Sequence, residues 1–307
     1  MITREEKILA GLSRDMRYLE IGPSFSPVVP KRDGWRAWTV DHLSREGLLA
    51  KYHSDSRIDA TRIEDVDFVW TGGPLDRAVP GALHGSFDAC IASHAIEHIP
   101  DFVGFFVSLA KVLAPGGIVS LAVPDKRFCF DWFRPHSTTG QMIEAHRRPA
   151  AHHRPEAIFD HFAYACTNDG HMSWGQGQVG ALGFTNSLPE AQNLFLRPPS
   201  DGYLDCHAWQ FTPSSFELIA LELAAMSLID FEIVRTFPTV GCEFLVHLQK
   251  GRAPSVIDLQ TRRLRLLEKI VDELGHQADI LRASRRTSNS IQAAWSQSEP
   301  QRIAQRP

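Results

Sequence analysis

The sequence predicts an α/β protein built on a mostly parallel sheet with an antiparallel last strand. Three observations carry that expectation. Short apolar strands alternate with helical spacing through the first 125 residues. Three of those strands break at Gly22-Pro23, Asp41 and Pro124-Asp125, residues suited to the ligand-binding carboxyl edge of such a sheet. A late helix precedes two adjacent strand-like runs, which read as a closing antiparallel pair.

Arg17 to Ile21 forms the first strand, and Arg36 to Val40 the second. Helical spacing follows through Leu43, Leu48 and Leu49. A third strand is expected near Arg57 to Ala60, although Asp59 interrupts it, and a fourth over Phe87 to Ile91. Phe102 to Leu113 has the apolar spacing of an amphipathic helix, stopped by Pro115-Gly116-Gly117. Ile118 to Val123 is the fifth strand. Residues 126–212 then break the rhythm, with seven of the 14 histidines and Gly/Gln clusters such as 173–178. So long a stretch inside a compact domain is functional more often than idle. Regular structure resumes with a helix from Thr212-Pro213 to Leu228, then strands over Phe231 to Phe237 and Glu243 to Leu248.

Beyond Gly251 the pattern changes. Ile257, Leu264, Leu267, Val271, Leu274, Ala278 and Leu281 fall on a and d positions of heptads, with Gln260 as a polar d. The stripe suits either a coiled coil with a second copy or partner chain, or a single helix packed on its own domain. From Ser284 onward the chain is polar and expected to be disordered. The expected domains are therefore 1–250, including an insertion at 126–212, and a helix with a tail over 251–307.

Hydrophobic residues make up 43% and charged residues 22% of the 307, which excludes a disordered, collagen-like or disulfide-dense chain. No apolar run approaches the roughly 20 residues needed to cross a bilayer. Met1 to Arg14 carries no apolar core with a cleavage site, so no secretory leader is expected. Cys90, Cys129, Cys166, Cys206 and Cys242 are scattered and form no C-x-x-C pair, which predicts a reduced, cytoplasmic protein. The net charge of −4 conceals an asymmetry. From Gln249 onward 11 Lys or Arg face 6 Asp or Glu, leaving 21 against 30 before it. An acidic body argues against nucleic acid as the principal partner.

The strongest local signal is Glu20-Ile-Gly22-Pro-Ser24-Phe-Ser26 at the end of the first strand. A glycine or small residue there lets backbone approach a ligand closely. Asp41 lies nineteen residues beyond Gly22, at the tip of the second strand, where a carboxylate can accept hydrogen bonds from both hydroxyls of a ribose. Phe87-Asp-Ala-Cys-Ile-Ala-Ser93-His94-Ala-Ile-Glu97-His98-Ile-Pro-Asp101 follows in register, and Leu113-Ala-Pro-Gly-Gly117 precedes the fifth strand.

Together these elements resemble the class I S-adenosylmethionine (SAM)-dependent methyltransferases, and more closely the subgroup with an L-E-H-[IV]-x-D-like segment after the fourth strand. The resemblance runs motif by motif over about residues 15–125, and by element order over 213–249. It implies a Rossmann-like sheet, SAM as methyl donor and S-adenosylhomocysteine as product. It also implies that Glu20 approaches the methionine end of SAM, that Gly22 and Ser24 form the close turn, and that Asp41 holds the ribose. Ser93 and His94 match positions lining the sulfonium and the substrate, and Asp65 and Asp67 compete for the place facing adenine. The family's G-x-G-x-G reads here as Gly22-Pro-Ser24-Phe-Ser26, a departure that serines are small enough to accommodate.

Glu97 and His98 are expected to tie their turn to neighbouring backbone rather than act as an acid–base pair. The insertion begins at the carboxyl edge of the fifth strand, so it is expected to form a lid over the SAM pocket. Methyl transfer is an in-line displacement, and a hydroxyl acceptor must lose its proton. A neutral histidine, with an ordinary pKa near ~6.5, can take it. His161, His171 and His207 are the catalytic candidates, and Trp132, Trp174 and Trp209 could stack on a sugar or aromatic ring. No H-x-x-x-H or H-E-x-x-H spacing appears among the histidines of the insertion, so no metal is expected. The expected activity is O-methylation of a saccharide or other polar small molecule. Alternatives are N- or carboxyl-methylation of a natural product, and a non-catalytic scaffold that keeps the SAM fold.

Overall fold

Helix α1 (Arg4–Ile8) is closed by a capping box between Thr3 and Glu6 and drops Ile8 into the core. In the computed structural model, which describes residues 2–150, 152–177, 179–197, 204–252, 254 and 257–298, the chain then enters β1 (Tyr18–Ile21). All four residues of β1 are buried. Strand β2 (Ala37–Asp41) pairs with it in parallel, and α2 (Arg45–Tyr52) starts at a Ser44 cap. Strand β3 (Phe68–Val69), the short α3 (Leu75–Ala78) and β4 (Phe87–Ser93) follow. Helix α4 (Phe102–Val112) begins where the Asp101 carboxylate accepts from the Gly104 amide at 2.8 Å. It buries Phe102, Val103, Phe106 and Leu109 in the main core and leads into β5 (Leu113–Pro124).

The insertion holds α5 (Thr139–Arg147), α6 (Pro155–Tyr164), β6 (Cys166–Asn168), β7 (Leu182–Phe184) and α7 (Leu188–Leu196). Strands β6 and β7 pair with each other as a separate antiparallel ribbon. Helix α8 (Pro213–Ala225), β8 (Phe231–Val240), β9 (Glu243–Lys250) and α9 (Leu259–Ser298) complete the chain.

Among the described residues the main sheet has seven strands in the order β3-β2-β1-β4-β5-β9-β8. Pairing is parallel from β3 to β5 and antiparallel across β5, β9 and β8. This is the α/β class that the alternation of elements predicts. Because β2 and β4 flank β1 on opposite sides, their connections diverge and leave a crevice at the carboxyl ends.

Arg57 to Ala60 is not a strand. Asp55 accepts from the Arg57 side chain at 2.9 and 2.7 Å, and Asp59 accepts from the Thr61 amide at 3.0 Å. Side chains that hydrogen-bond locally in this way compete with a strand ladder. The third strand lies further on, at Phe68–Val69, and is two residues long.

The C-terminal stripe also reads differently in three dimensions. Helix α9 runs to Ser298, past Ser284 where disorder was expected, and 299–307 lie outside the described residues. Leu266 and Ile270 pack against Leu218 and Leu221 of α8, with Leu259 and Leu274 beside them. Ile280 and Leu281 reach the insertion at Trp132 and Cys166. The heptad residues Leu264, Leu267 and Val271 are 58%, 46% and 69% exposed. Contact with the domain is therefore centred on the i, i+4 pair Leu266 and Ile270, joined by the heptad residues Leu274 and Leu281, while Leu264, Leu267 and Val271 face outward. Ile270→Ala should cost about 2–5 kcal/mol in urea unfolding. Val271→Ala should stay within about 0.5 kcal/mol. The opposite ranking would show that the heptad seam is the packed face.

Candidate functional site

Strand β1 ends at Gly22, whose φ of 65° favours glycine and whose amide donates to the Val40 carbonyl at 2.8 Å. Ser24 also has positive φ, 49°, an uncommon state for a residue with a Cβ. Its amide is held there by the Asp41 carboxylate at 3.0 Å. The other Asp41 oxygen accepts from the His42 amide at 2.8 Å and lies 2.7 Å from His42 Nδ1. A carboxylate has roughly four acceptor positions, so Asp41 keeps capacity for an incoming hydroxyl. The cleft continues past Tyr52, Trp70 and Gly72 to His94 and Ala95 after β4. Lid residues His152, His153 and Asp205 form its outer wall, and Lys51 Nζ reaches to 3.8 Å from Asp205 across the rim.

Four of the expected cofactor residues lie elsewhere. Glu20 is buried beneath the following loop, where it accepts from the amides of Val28 at 2.6 Å and Val29 at 3.3 Å. Burial pushes its carboxyl up to about 7 despite those bonds. Asp65 is exposed, 3.7 Å from Arg45. Asp67 is occupied by the Thr39 amide at 2.7 Å and by Lys31 at 2.5 Å. Where an adenine-facing acid was expected, the cleft instead has Trp70, Thr71 and Gly72. Ser93 accepts from Arg4 at 2.7 Å. His94, with φ 50°, does line the cleft, and its Nε2 lies 2.8 Å from Glu243. Burial would lower His94, but Glu243 and Glu97 outweigh it and raise its pKa.

A second cavity, beneath the lid, shares His94, His98 and Asp205 with the cleft. On its wall His207 Nδ1 lies 2.5 Å from Asp131, and Arg134 donates to Asp131 at 2.9 Å and to the His207 carbonyl at 2.9 Å. Burial opposes ionisation of Asp131, yet His207 and Arg134 prevail and hold its carboxyl well below the usual range. His161 Nδ1 accepts from the His207 amide at 3.0 Å. Burial, then the neighbouring His207, pushes His161 down to about 3, so its ring is neutral with the proton on Nε2. His171 is exposed at the tip of the β6–β7 ribbon, outside both cavities. The tryptophans serve packing: Trp132 and Trp174 meet 5.8 Å apart, and Trp209 is buried with its indole donating to Ile99 at 2.7 Å.

Glu97 is fully buried. Its carbonyl accepts from the amides of Ala208 at 2.7 Å and Trp209 at 3.1 Å, which ties this turn to the lid. Neither carboxylate oxygen has a hydrogen-bond partner among the described residues. Oε1 instead stands 3.8 Å from His94 Nδ1, from His98 Nε2 and from His207 Nε2. The ligating atoms of Glu97, His98 and His207 all lie within 4.8 Å of one another, a group able to hold a metal ion. Sequence patterning carried one sign of this, the H-x-x-E-H run at 94–98. The third group, His207, lies more than a hundred residues downstream.

The model of the methyltransferase-domain family matches residues 4–178, more than half of the chain. This chain belongs to that family. It is a class I SAM-dependent methyltransferase. No curated protein matches its sequence. Among solved structures it is similar to a protein described as a zinc-dependent alcohol dehydrogenase from Rhodobacter sphaeroides, at 12% identity and TM-score 0.43, covering 81% of this chain and 89% of that one. A SAM-dependent methyltransferase from Mesorhizobium loti gives 12% and 0.40, covering 80% and 98%. The Burkholderia thailandensis 1,6-didemethyltoxoflavin N1-methyltransferase, with S-adenosylhomocysteine bound, gives 12% and 0.38, covering 81% and 76%.

The methyltransferase cleft fits its co-substrate chemically. Gly22 has only the Ala95 side chain, at 3.6 Å, near the place of a Cβ, Asp41 offers an acceptor, and Trp70 and Tyr52 offer flat apolar surface. Asp41→Ala should weaken SAM binding by about 1–3 kcal/mol in calorimetry, since it removes a carboxylate able to accept from a ribose and releases the Ser24 amide. Glu20 gives a pH signature. Its folded pKa, about 7, exceeds the ordinary 4.5, so its contribution is complete below pH 4.5 and is lost as pH rises through 7. The stability of the wild type relative to Glu20→Gln should therefore fall by about 3 kcal/mol across that window in urea titrations. A flat difference would mean that Glu20 is solvated.

Proposed function

We propose that this methyltransferase transfers a methyl group from SAM to a hydroxyl of a saccharide or other polar small molecule, with His207 as general base. The observation that carries the reading is the buried Asp131–His207 pair, 2.5 Å apart, on a cavity that shares His94 and His98 with the cofactor cleft. SAM, when bound, supplies an electrophilic methyl group on a sulfonium.

The chain's residues do the rest. Asp131 accepts the Nδ1 proton of His207 and fixes the ring, which leaves Nε2 as the acceptor for a hydroxyl proton. Arg134 keeps Asp131 ionised and ties it to the His207 backbone, so the pair moves as one unit. The lid residues His152, His153 and Asp205 restrict water at the junction of the two cavities. Polar walls there suit an acceptor with several hydroxyls. Of the other candidate bases, His161 has its Nδ1 lone pair engaged and His171 is remote from the site.

The five cysteines form no disulfide among the described residues, in keeping with a cytoplasmic setting, and no described helix is long and apolar enough to cross a membrane. The outward row of Leu264, Leu267 and Val271, with Ile257 before it, would serve pairing with a second copy. Activity is tested by S-adenosylhomocysteine release over a panel of saccharides and other polyols. His207→Ala should lower kcat roughly 10²–10⁴-fold with SAM affinity unchanged, while His171→Ala should be silent. Full activity in His207→Ala, or methyl groups found only on nitrogen or carboxylate, would retire the reading.

A further inference from the structure

We propose that Glu97, His98 and His207 form a binding site for one divalent transition-metal ion of the zinc class, open to the cavity beneath the lid. The three ligating atoms lie within 4.8 Å of one another, and Glu97 Oε1 is 3.8 Å from the Nε2 of each histidine. That distance is too long for a hydrogen bond. It is close to the separation of two atoms bound to one ion. Bonds of roughly 2.0–2.2 Å set neighbouring ligands about 3–3.5 Å apart, so small side-chain movements close the site.

The accounting of donors points the same way. Glu97 is fully buried and neither of its oxygens has a hydrogen-bond partner among the described residues, an arrangement that is costly without a counter-charge. His207 also presents its other nitrogen to a carboxylate, with Nδ1 2.5 Å from Asp131, while His98 Nδ1 stands 3.1 Å from Asp205 without making a hydrogen bond. A carboxylate behind the ring places the proton on Nδ1 and leaves Nε2 as a bare lone pair, the arrangement that orients histidine ligands in metal sites. The Nε2 atoms of two imidazoles and a carboxylate converge at one point. A cation satisfies all of them at once.

Two imidazoles and one carboxylate suit zinc and the neighbouring first-row divalent ions, not magnesium or calcium. Three protein ligands leave further positions vacant, as in catalytic zinc sites. All three ligands line the cavity that shares its wall with the cofactor cleft, so an ion held there would be open to that cavity. The inference deepens the hydroxyl-methylation reading and rests on it for the acceptor alone. An ion held there would occupy His207 Nε2, so His207 would serve as a ligand in place of its role as base; the ion would lower the pKa of a bound hydroxyl, whose proton would pass to water in the cavity.

The test uses the full-length, untagged chain stripped with chelator and titrated with Zn²⁺ alone, followed by calorimetry, bound-metal analysis and thermal melting. The wild type should take up about one equivalent and melt at a higher temperature with zinc present. Glu97→Gln should lower the affinity at least ~100-fold and abolish the shift, and Asp131→Asn should lower it about 10–100-fold. Asp41→Ala, which lies in the cofactor cleft away from the three ligands, should bind zinc like the wild type. Circular dichroism and urea unfolding identify any variant that fails to fold, and His98→Gln supplies an independent ligand deletion. No saturable uptake by the wild type, or equal uptake by Glu97→Gln and His98→Gln, overturns the site. SAM binding without zinc uptake removes the ion and leaves methyl transfer standing. Zinc uptake with no methylation of any hydroxyl acceptor keeps the site and removes that acceptor class.

Discussion

Because β1 is buried along its whole length and lies between β2 and β4, the sheet can offer polar groups to a ligand only at its carboxyl edge. That constraint decides where everything else goes. The positive φ of Gly22 and Ser24, the Asp41 carboxylate and the left-handed His94 all fall within the first residues beyond, or at, the ends of three neighbouring strands. Two of these left-handed residues carry a Cβ, and the strain sits where the chain turns around the cleft. The Asp41–Ser24 hydrogen bond links two of the three strand ends, so the cleft they border is held by the same contacts that close the turn.

The lid obeys a second rule, that charge taken from water must meet an opposite charge or a hydrogen bond. Asp131 meets Arg134 and His207, and Asp125 meets Arg127 at 2.6 Å. Asp205 meets His98 from the lid side and Lys51 from α2. These pairs supplement the small apolar cluster of Trp132, Cys166 and Val179 in this irregular, histidine-rich segment. Glu97 stands out against them because its carbonyl is fully used by the lid backbone while its carboxylate has no hydrogen bond.

Helix α9 ties the two parts together. Glu273 accepts from the amide and hydroxyl of Ser214 at the start of α8, and Gln277 donates to the Trp132 carbonyl of the lid at 2.8 Å. Arg127 reaches the Glu273 carbonyl at 3.4 Å. The helix thus braces the lid against α8 along one side and leaves a row of apolar residues on the other.

Local sequence determined the sheet class, the turn at Gly22 and the acid at Asp41, because each depends on period, backbone freedom or position at a strand end. It could not settle which acids face the cofactor. Glu20, Asp65 and Asp67 have the right chemistry in the right interval, but loop amides, Arg45 and the β2 backbone claim them first. Nor could heptad spacing tell which face of α9 meets α8, since apolar periodicity counts residues without naming a neighbour. The lid chemistry was least legible of all. Among its histidines only His207 both pairs with a carboxylate and approaches Glu97, and that selection depends on a contact between segments more than a hundred residues apart. Residue type and spacing fix what a side chain can do, and only the tertiary fold decides which partner reaches it first.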